Sequence, residues 1–236
     1  MKKNKLWRIG IEEKAEISKC LSLGLNGSTT KKFEVAFANK FKSKYAISLN
    51  SGTSALHVAL LAFGVKTNDE VIVPPLSFIA TAYAPLYCGA IPVFADIDKD
   101  TFNIDPDDII NKITSRTKAI IAVSLYGLPA NLDKIKKIAN KHNIKLLEDN
   151  AECIYGKCNK KSIGTFGDIS IFSFQRSKHL TTGDGGMLIT NNKGLAEKSR
   201  KYADLGYRRL TADSISNEDI KSSIQHFSYK RHELVG

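Results

Sequence analysis

Cysteine is scarce in this chain and does not cluster. Cys20, Cys88, Cys153 and Cys158 are the four among 236 residues. They form no C-x-x-C pair and no metal-ligand spacing with histidine, so neither a disulfide framework nor a metal centre is expected. Cys88 and Cys153 stand in apolar contexts and are expected as small core residues. No apolar run is long enough to cross a membrane. The basic start, MKKNKLWRIGIEEK, lacks the apolar stretch of a signal peptide, and the expected location is cytoplasmic. The first strand-to-helix turn lacks G-x-G-x-x-G, and G-x-x-x-x-G-K-[ST] does not occur, which argues against a generic nucleotide-binding fold. Internal repeats are absent, and there is no linker before Tyr202.

Acidic residues are the minority: 24 Asp and Glu against 35 Lys and Arg give a formal net charge of +11. The lysines are nevertheless scattered, as in Lys134, Lys136, Lys137 and Lys141. No basic stripe is interleaved with aromatics, so nucleic acid is not an expected partner. The surplus reads as a solvated surface that attracts anionic substrates at long range.

What is present is an alternation of helix and strand signals. Ile11–Leu23 and Lys31–Phe41 read as amphipathic helices. Tyr45–Leu49 reads as a strand, and Gly52–Phe63 as an apolar helix opened by Ser51 and Thr53. There follow a strand at Glu70–Val73, a helix at Ser77–Cys88 and a strand at Ile91–Ala95. A proline-led helix covers Pro106–Lys112. The series continues with a strand at Ala119–Val123, a helix at Asn131–Lys141 and a strand at Lys145–Glu148. Repeated units with short apolar strands predict an α/β fold, a mostly parallel sheet with helices on both faces.

In such sheets, ligands sit beyond the carboxyl ends of the strands, often on helix N-termini. Four turns qualify. Asn50-Ser51-Gly52-Thr53-Ser54 offers backbone N–H groups and hydroxyls, as a phosphate cradle or an ordinary N-cap. Pro74-Pro75-Leu76-Ser77-Phe78 presents an aromatic, either core or a ring-stacking platform. The apolar strand before Asp149 ends in carboxylates, and Asp149 either holds a pyridinium proton or caps the next segment. The fourth is FSFQRSKHLTTGDGGMLIT, Phe172 to Thr190, which places Lys178 between two apolar runs in a glycine-rich segment. That setting suits a Schiff-base lysine, whose amine must be desolvated enough to act as a nucleophile.

In order and spacing, the stretches NSGTSALHVALLAFGVKTNDEVIVPPLSFIATAYAPLYCGAIPVF, TKAIIAVSLYG, LLEDNAE and IGTFGDISIFSFQRSKHLTTGDGGMLITN resemble the DegT/DnrJ/StrS aminotransferases. The resemblance covers nearly all of residues 10 to 205. It implies a fold type I large domain, pyridoxal 5'-phosphate as cofactor and amination of a keto sugar, mostly nucleotide-linked. Position by position, it implies that Lys178 carries the cofactor and that Asp149 partners the pyridine nitrogen. Phe78 falls where an aromatic stacks on the ring, and Gly52, Thr53 and Ser173 fall where the phosphate is bound. Glu152 takes the place of a common glutamine that contacts the ring hydroxyl. Glutamate there is familiar in members resembling perosamine synthetases, which aminate a GDP-linked 4-keto-6-deoxy sugar for surface polysaccharide. The amino donor implied is glutamate, and the full-length assembly implied is a homodimer. One branch of the family removes a sugar hydroxyl and has histidine in place of the lysine, so Lys178 favours transamination. His179 is expected to be a structural neighbour.

Three departures stand out. Ser124 occupies a usual histidine position, Asp184 replaces a usual glutamate, and FSYKRHELVG puts Ser228 and Lys230 where asparagine and arginine are usual. The expected organisation is an N-terminal helical segment at 1–30, the cofactor-binding large domain at 31–205, and the start of a C-terminal region at 206–236. Relatives continue into a small domain that closes over the substrate, so a fragment or a truncated product is expected. The alternative function is then an inactive remnant that binds the cofactor weakly or serves only in association.

Overall fold

A computed structural model describes residues 9–22 and 28–203. Two helices come first, α1 (Ile11–Ser22) and α2 (Ser28–Phe41). Then β1 (Tyr45–Leu49), α3 (Gly52–Phe63), β2 (Glu70–Val73), α4 (Ala80–Tyr87) and β3 (Ile91–Phe94) alternate. They are followed by α5 (Pro106–Lys112), β4 (Thr117–Val123), α6 (Leu132–Lys141) and β5 (Lys145–Asp149). A small hairpin, β6 (Lys157–Cys158) and β7 (Lys161–Ser162), precedes β8 (Ile169–Ser173), β9 (Gly186–Thr190) and α7 (Lys193–Ala203).

Seven strands form one sheet in the order β1-β9-β8-β5-β4-β2-β3. β9 alone runs against its neighbours; the pairs β2–β3, β2–β4, β4–β5 and β5–β8 are parallel. The carboxyl ends of β1, β2, β4, β5 and β8 therefore share one edge, where ligands of open α/β sheets gather.

Side-chain alternation along each strand divides the core between the two faces. On β4, Ala119, Ile121 and Val123 join the apolar cluster that includes α3, α4 and α7, whereas Ile120 and Ala122 join that of α5 and α6. On β5, Leu147 packs on the α3 side and Leu146 on the α6 side. The same period sends Asp149 to the α3 face and Glu148 to the α6 face. A third, aromatic cluster docks α2, with Phe37 and Phe41 against Phe172 and Phe174. Beside it the buried Glu34 accepts from Arg200 at 2.7 Å and from the Ser48 N–H at 2.7 Å, joining α2, α7 and β1.

The ends of α3 follow from its sequence. Ser51 accepts the Ser54 N–H at 3.0 Å as N-cap, and Gly64 closes the helix at φ 82°. The expected helix from Ser77 begins only at Ala80. The Ser77 hydroxyl bonds the Thr81 hydroxyl at 2.7 Å instead of a backbone N–H, and Ile79 offers no side-chain acceptor as a cap. Cys153 is buried as expected, while Cys88 is only half-buried at the edge of the core. Residues 206–236, with Ser228 and Lys230, lie outside the described residues. Among the described residues, no helix is long and apolar enough to cross a membrane.

Candidate active site

β5 delivers Asp149 to the end of the sheet, paired in register with Val123 on one side and Ile171 on the other. The side chain is buried, and its Oδ1 accepts the Ala151 N–H at 3.0 Å. Burial pushes its carboxyl up to about 6, and the negative charge of Glu152 adds to the rise. The Ala151 N–H, the Lys178 ammonium and the Thr81 hydroxyl pull the other way without cancelling it. Asp149 is thus a buried acid whose negative charge is under-compensated. It would gain from a cation placed against it.

Lys178 lies past the end of β8, its backbone N–H bonded to the Gln175 carbonyl at 2.8 Å. Its Nζ stands 3.3 Å from Glu152 Oε1, and both side chains are mostly shielded from water. Glu152 Oε2 in turn accepts the Tyr126 N–H at 3.3 Å. One carboxylate therefore bridges the lysine and the loop after β4.

At the start of α3, a methyl group on Gly52 would lie 2.9 Å from Ser173 Cβ and 3.3 Å from its Oγ. The helix start and the end of β8 touch, and only glycine permits the approach. Gly186 is equally constrained, since a Cβ there would meet the Ser51 carbonyl oxygen at 2.2 Å. Gly52 and half-buried Ser173 thus meet at the helix N-terminus, whose first N–H groups suit an anion, and half-buried Thr53 follows Gly52. Phe78 is 70% exposed, which removes the core reading of this residue. Its carbonyl accepts from the N–H of Thr81, the residue whose hydroxyl favours the charged form of Asp149. The structure therefore brings Asp149, Glu152 and Lys178 together, joins Gly52 to Ser173, and sets Phe78 one turn before Thr81.

Residues 8–229 match the profile of the DegT/DnrJ/EryC1/StrS aminotransferase family. The chain belongs to that family. It is 43% identical over 198 residues to GDP-perosamine synthase of Escherichia coli O157:H7, covering 83% of this chain and 54% of that protein. Among solved structures, the aminotransferase from Psychrobacter cryohalolentis superposes with a TM-score of 0.80 at 38% identity, over 85% of this chain and 52% of that one. NtdA from Bacillus subtilis with bound cofactor PMP gives 0.77 at 34% identity, over 85% and 47%. The chain spans about half the length of the curated relatives it matches. DegT/DnrJ/EryC1/StrS aminotransferases depend on pyridoxal phosphate, and the residues here suit it: an under-compensated buried acid, an amine, and a cradle for an anion.

Sequence reasoning missed Thr81 and Tyr126. The Ser77–Thr81 spacing of four was the available signal for the first. Ser124, at the usual histidine position, is fully buried. It donates its N–H to the Asp149 carbonyl at 2.9 Å, and its Oγ accepts the Ala130 N–H at 3.4 Å. His179 and Asp184 are exposed. A cavity of about 550 Å³ opens elsewhere, between Pro75, Phe94, Asp96, Asp105 and Asp108. Its mostly acidic walls would repel a phosphate.

Proposed function

We propose that this chain transfers an amino group from glutamate to a nucleotide-linked 4-keto-6-deoxy sugar, as a step toward surface polysaccharide. The observation that carries this reading is the group formed by Lys178, Glu152 and Asp149, with Lys178 Nζ 3.3 Å from Glu152. Bound pyridoxal phosphate supplies an electron sink that stabilises negative charge on the carbon losing its proton. Asp149 holds the proton of the ring nitrogen. Lys178 would hold the cofactor through its amine, and the same amine would serve as the base and acid that moves the proton. Gly52, Thr53 and Ser173 would hold the phosphate, and Phe78 and Glu152 would hold the ring. Residues 31–205 act as the cofactor-binding domain.

The choice of sugar is supported by the likeness to GDP-perosamine synthase and by glutamate, not glutamine, at position 152. A homodimer is supported by the outer face of α4 and the residue before it. Ile79, Tyr83, Leu86 and Tyr87 recur at helical spacing there and are all exposed.

The test is an absorbance spectrum of the purified chain with pyridoxal phosphate, then borohydride reduction and peptide mapping. The expected result is a violet band and a reduced adduct on Lys178, absent in Lys178→Ala. Glutamate should then bleach the band, and a keto-sugar nucleotide should restore it. A labelled Lys178 without any response to glutamate would favour the competing reading, a cofactor-binding module without turnover. No adduct in a folded chain would sink both cofactor-bound readings and leave a remnant that serves only in association.

A further inference from the structure

Tyr126 holds a conformation that its own side chain does not favour. Its backbone lies at φ 50°, ψ 30°, the left-handed region that bulky residues rarely occupy. The surrounding structure imposes it. Buried Asn103 clamps both ends of the loop, its Oδ1 accepting the Leu125 N–H at 3.0 Å and its Nδ2 donating to the Leu128 carbonyl at 3.0 Å. The Ser124 N–H bonds the Asp149 carbonyl at 2.9 Å, and the Cys153 thiol donates to the Gly127 carbonyl at 3.2 Å. Glu152 takes the Tyr126 N–H itself.

Folding gains little from the ring so placed, because the residue is 77% exposed. Strain fixed by several independent hydrogen bonds, with an aromatic held outward, is a mark of ligand-binding loops. The location supplies the ligand. The Glu152 carboxylate that holds the Tyr126 N–H also holds Lys178 Nζ at 3.3 Å, so the residue that carries this exposed ring is one carboxylate away from the amine. A molecule that brings a carbonyl carbon to Lys178 comes close to this loop. Hexoses present a C–H face that packs on an aromatic ring, and a 6-deoxy sugar adds a methyl group to that face.

We infer that Tyr126 is a specificity-determining residue whose ring is the wall against which the keto sugar rests. This inference rests on the reading of Lys178 as the amino-transfer centre. Among the described residues the phenol hydroxyl has no hydrogen-bond partner and could add one, but the ring face supplies most of the contact.

The test separates conformation from contact. Glycine accepts φ 50° without strain, so Tyr126→Gly should keep or raise the thermal midpoint by a few degrees. The same variant should bind GDP-linked 4-keto-6-deoxymannose at least tenfold more weakly by calorimetry. Tyr126→Phe should stay within threefold of wild type, and both variants should still yield the reduced adduct on Lys178. A merely structural tyrosine would not combine undiminished stability with lost sugar affinity. Unchanged affinity in Tyr126→Gly overturns the inference, as does a wild-type chain that carries cofactor on Lys178 yet does not bind the sugar. A change in sedimentation without a change in affinity assigns the ring to a subunit interface and also overturns it. Failure of the adduct in wild type counts against the amino-transfer reading. In that case sugar binding that depends on Tyr126 would still uphold the wall.

Discussion

Glu148 and Asp149 are adjacent on β5, both carboxylates and both buried, yet they meet opposite surroundings. Glu148 accepts the backbone N–H groups of Gly164, Phe166 and Gly167 at 2.6 to 2.7 Å, the Ser170 hydroxyl at 2.9 Å and the Asn150 amide at 3.3 Å. Asp149, one residue on and facing α3, has the Ala151 N–H, the Lys178 ammonium and the Thr81 hydroxyl to favour its charge, and burial outweighs them. The first acid anchors the loop before β8. The second is left with charge to offer a ligand.

That difference predicts a pH dependence for the cofactor-free chain. The Asp149 pKa rises from 3.8 to about 6 on folding. The folded state therefore binds more protons than the unfolded one between those values, and stability falls as pH rises. The contribution of Asp149 is fully present below 3.8 and is lost as pH rises through about 6, a loss of about 3 kcal/mol. Asp149→Asn should remove this loss, making the apo chain more stable than wild type at neutral pH. The same variant should lose pyridoxal phosphate affinity at least ~100-fold through the missing charge-assisted bond. Urea titrations on both sides of pH 6, with cofactor titration alongside, check the two outcomes.

Glu148→Gln should do the reverse. An amide presents an NH2 group to a site built from donors, so at least one backbone N–H loses its acceptor. The expected cost is about 3 kcal/mol, read as a lower urea midpoint with the slope unchanged. The flexible segment exposed to limited proteolysis should be residues 163–168.

Much of this arrangement was legible in the sequence, for reasons that can be given residue by residue. β1, β2 and α5 sit where expected because short apolar runs end at strong punctuation, Asn50-Ser51 after β1 and Asp105-Pro106 before α5. Asp149 stood out because it ends an apolar strand, and Lys178 because it lies between two apolar runs. The contrast between Glu148 and Asp149 did not, because alternation predicts opposite faces but not which face supplies donors. The donors come from Gly164, Phe166 and Gly167, whose loop carries no periodicity. The left-handed Tyr126 was equally hidden, since tyrosine is not a residue that signals positive φ and its clamp, Asn103, is 22 residues from Leu125. The β6–β7 hairpin, turned by Asn159 at φ 47° and Lys160 at φ 64°, is too short to show a period.

Gly52→Ala tests the cradle. The added methyl would sit 2.9 Å from Ser173 Cβ, closer than carbon atoms approach, so α3 or β8 must shift. We expect a stability loss of about 1–3 kcal/mol and weaker cofactor binding. Pairing it with Ser173→Gly should recover most of the stability but not the cofactor affinity, if the Ser173 hydroxyl holds the phosphate as proposed. A double-mutant cycle with thermal denaturation and cofactor titration distinguishes the two effects. Additive losses in stability would show that the two residues do not press on each other.

Glu152→Gln separates charge from geometry at Lys178. The side chain keeps its length, and its amide oxygen can still accept the Tyr126 N–H. It loses the negative charge that raises the Asp149 pKa, so that pKa should drop below about 6. The fall of stability with pH should therefore move to lower pH. The ion pair to Lys178 is partly open to water, so its direct loss should cost less than about 1 kcal/mol. The larger effect should be chemical. Without the carboxylate, the ammonium is no longer held 3.3 Å from an anion, and the rate of reducible adduct formation with pyridoxal phosphate should change at fixed pH while the fold persists. Stability against pH, measured beside the adduct rate, gives two independent readings of one charge. An unmoved stability profile would mean that Glu152 does not sense Asp149, and the coupling that ties the three residues into one site would have to be abandoned.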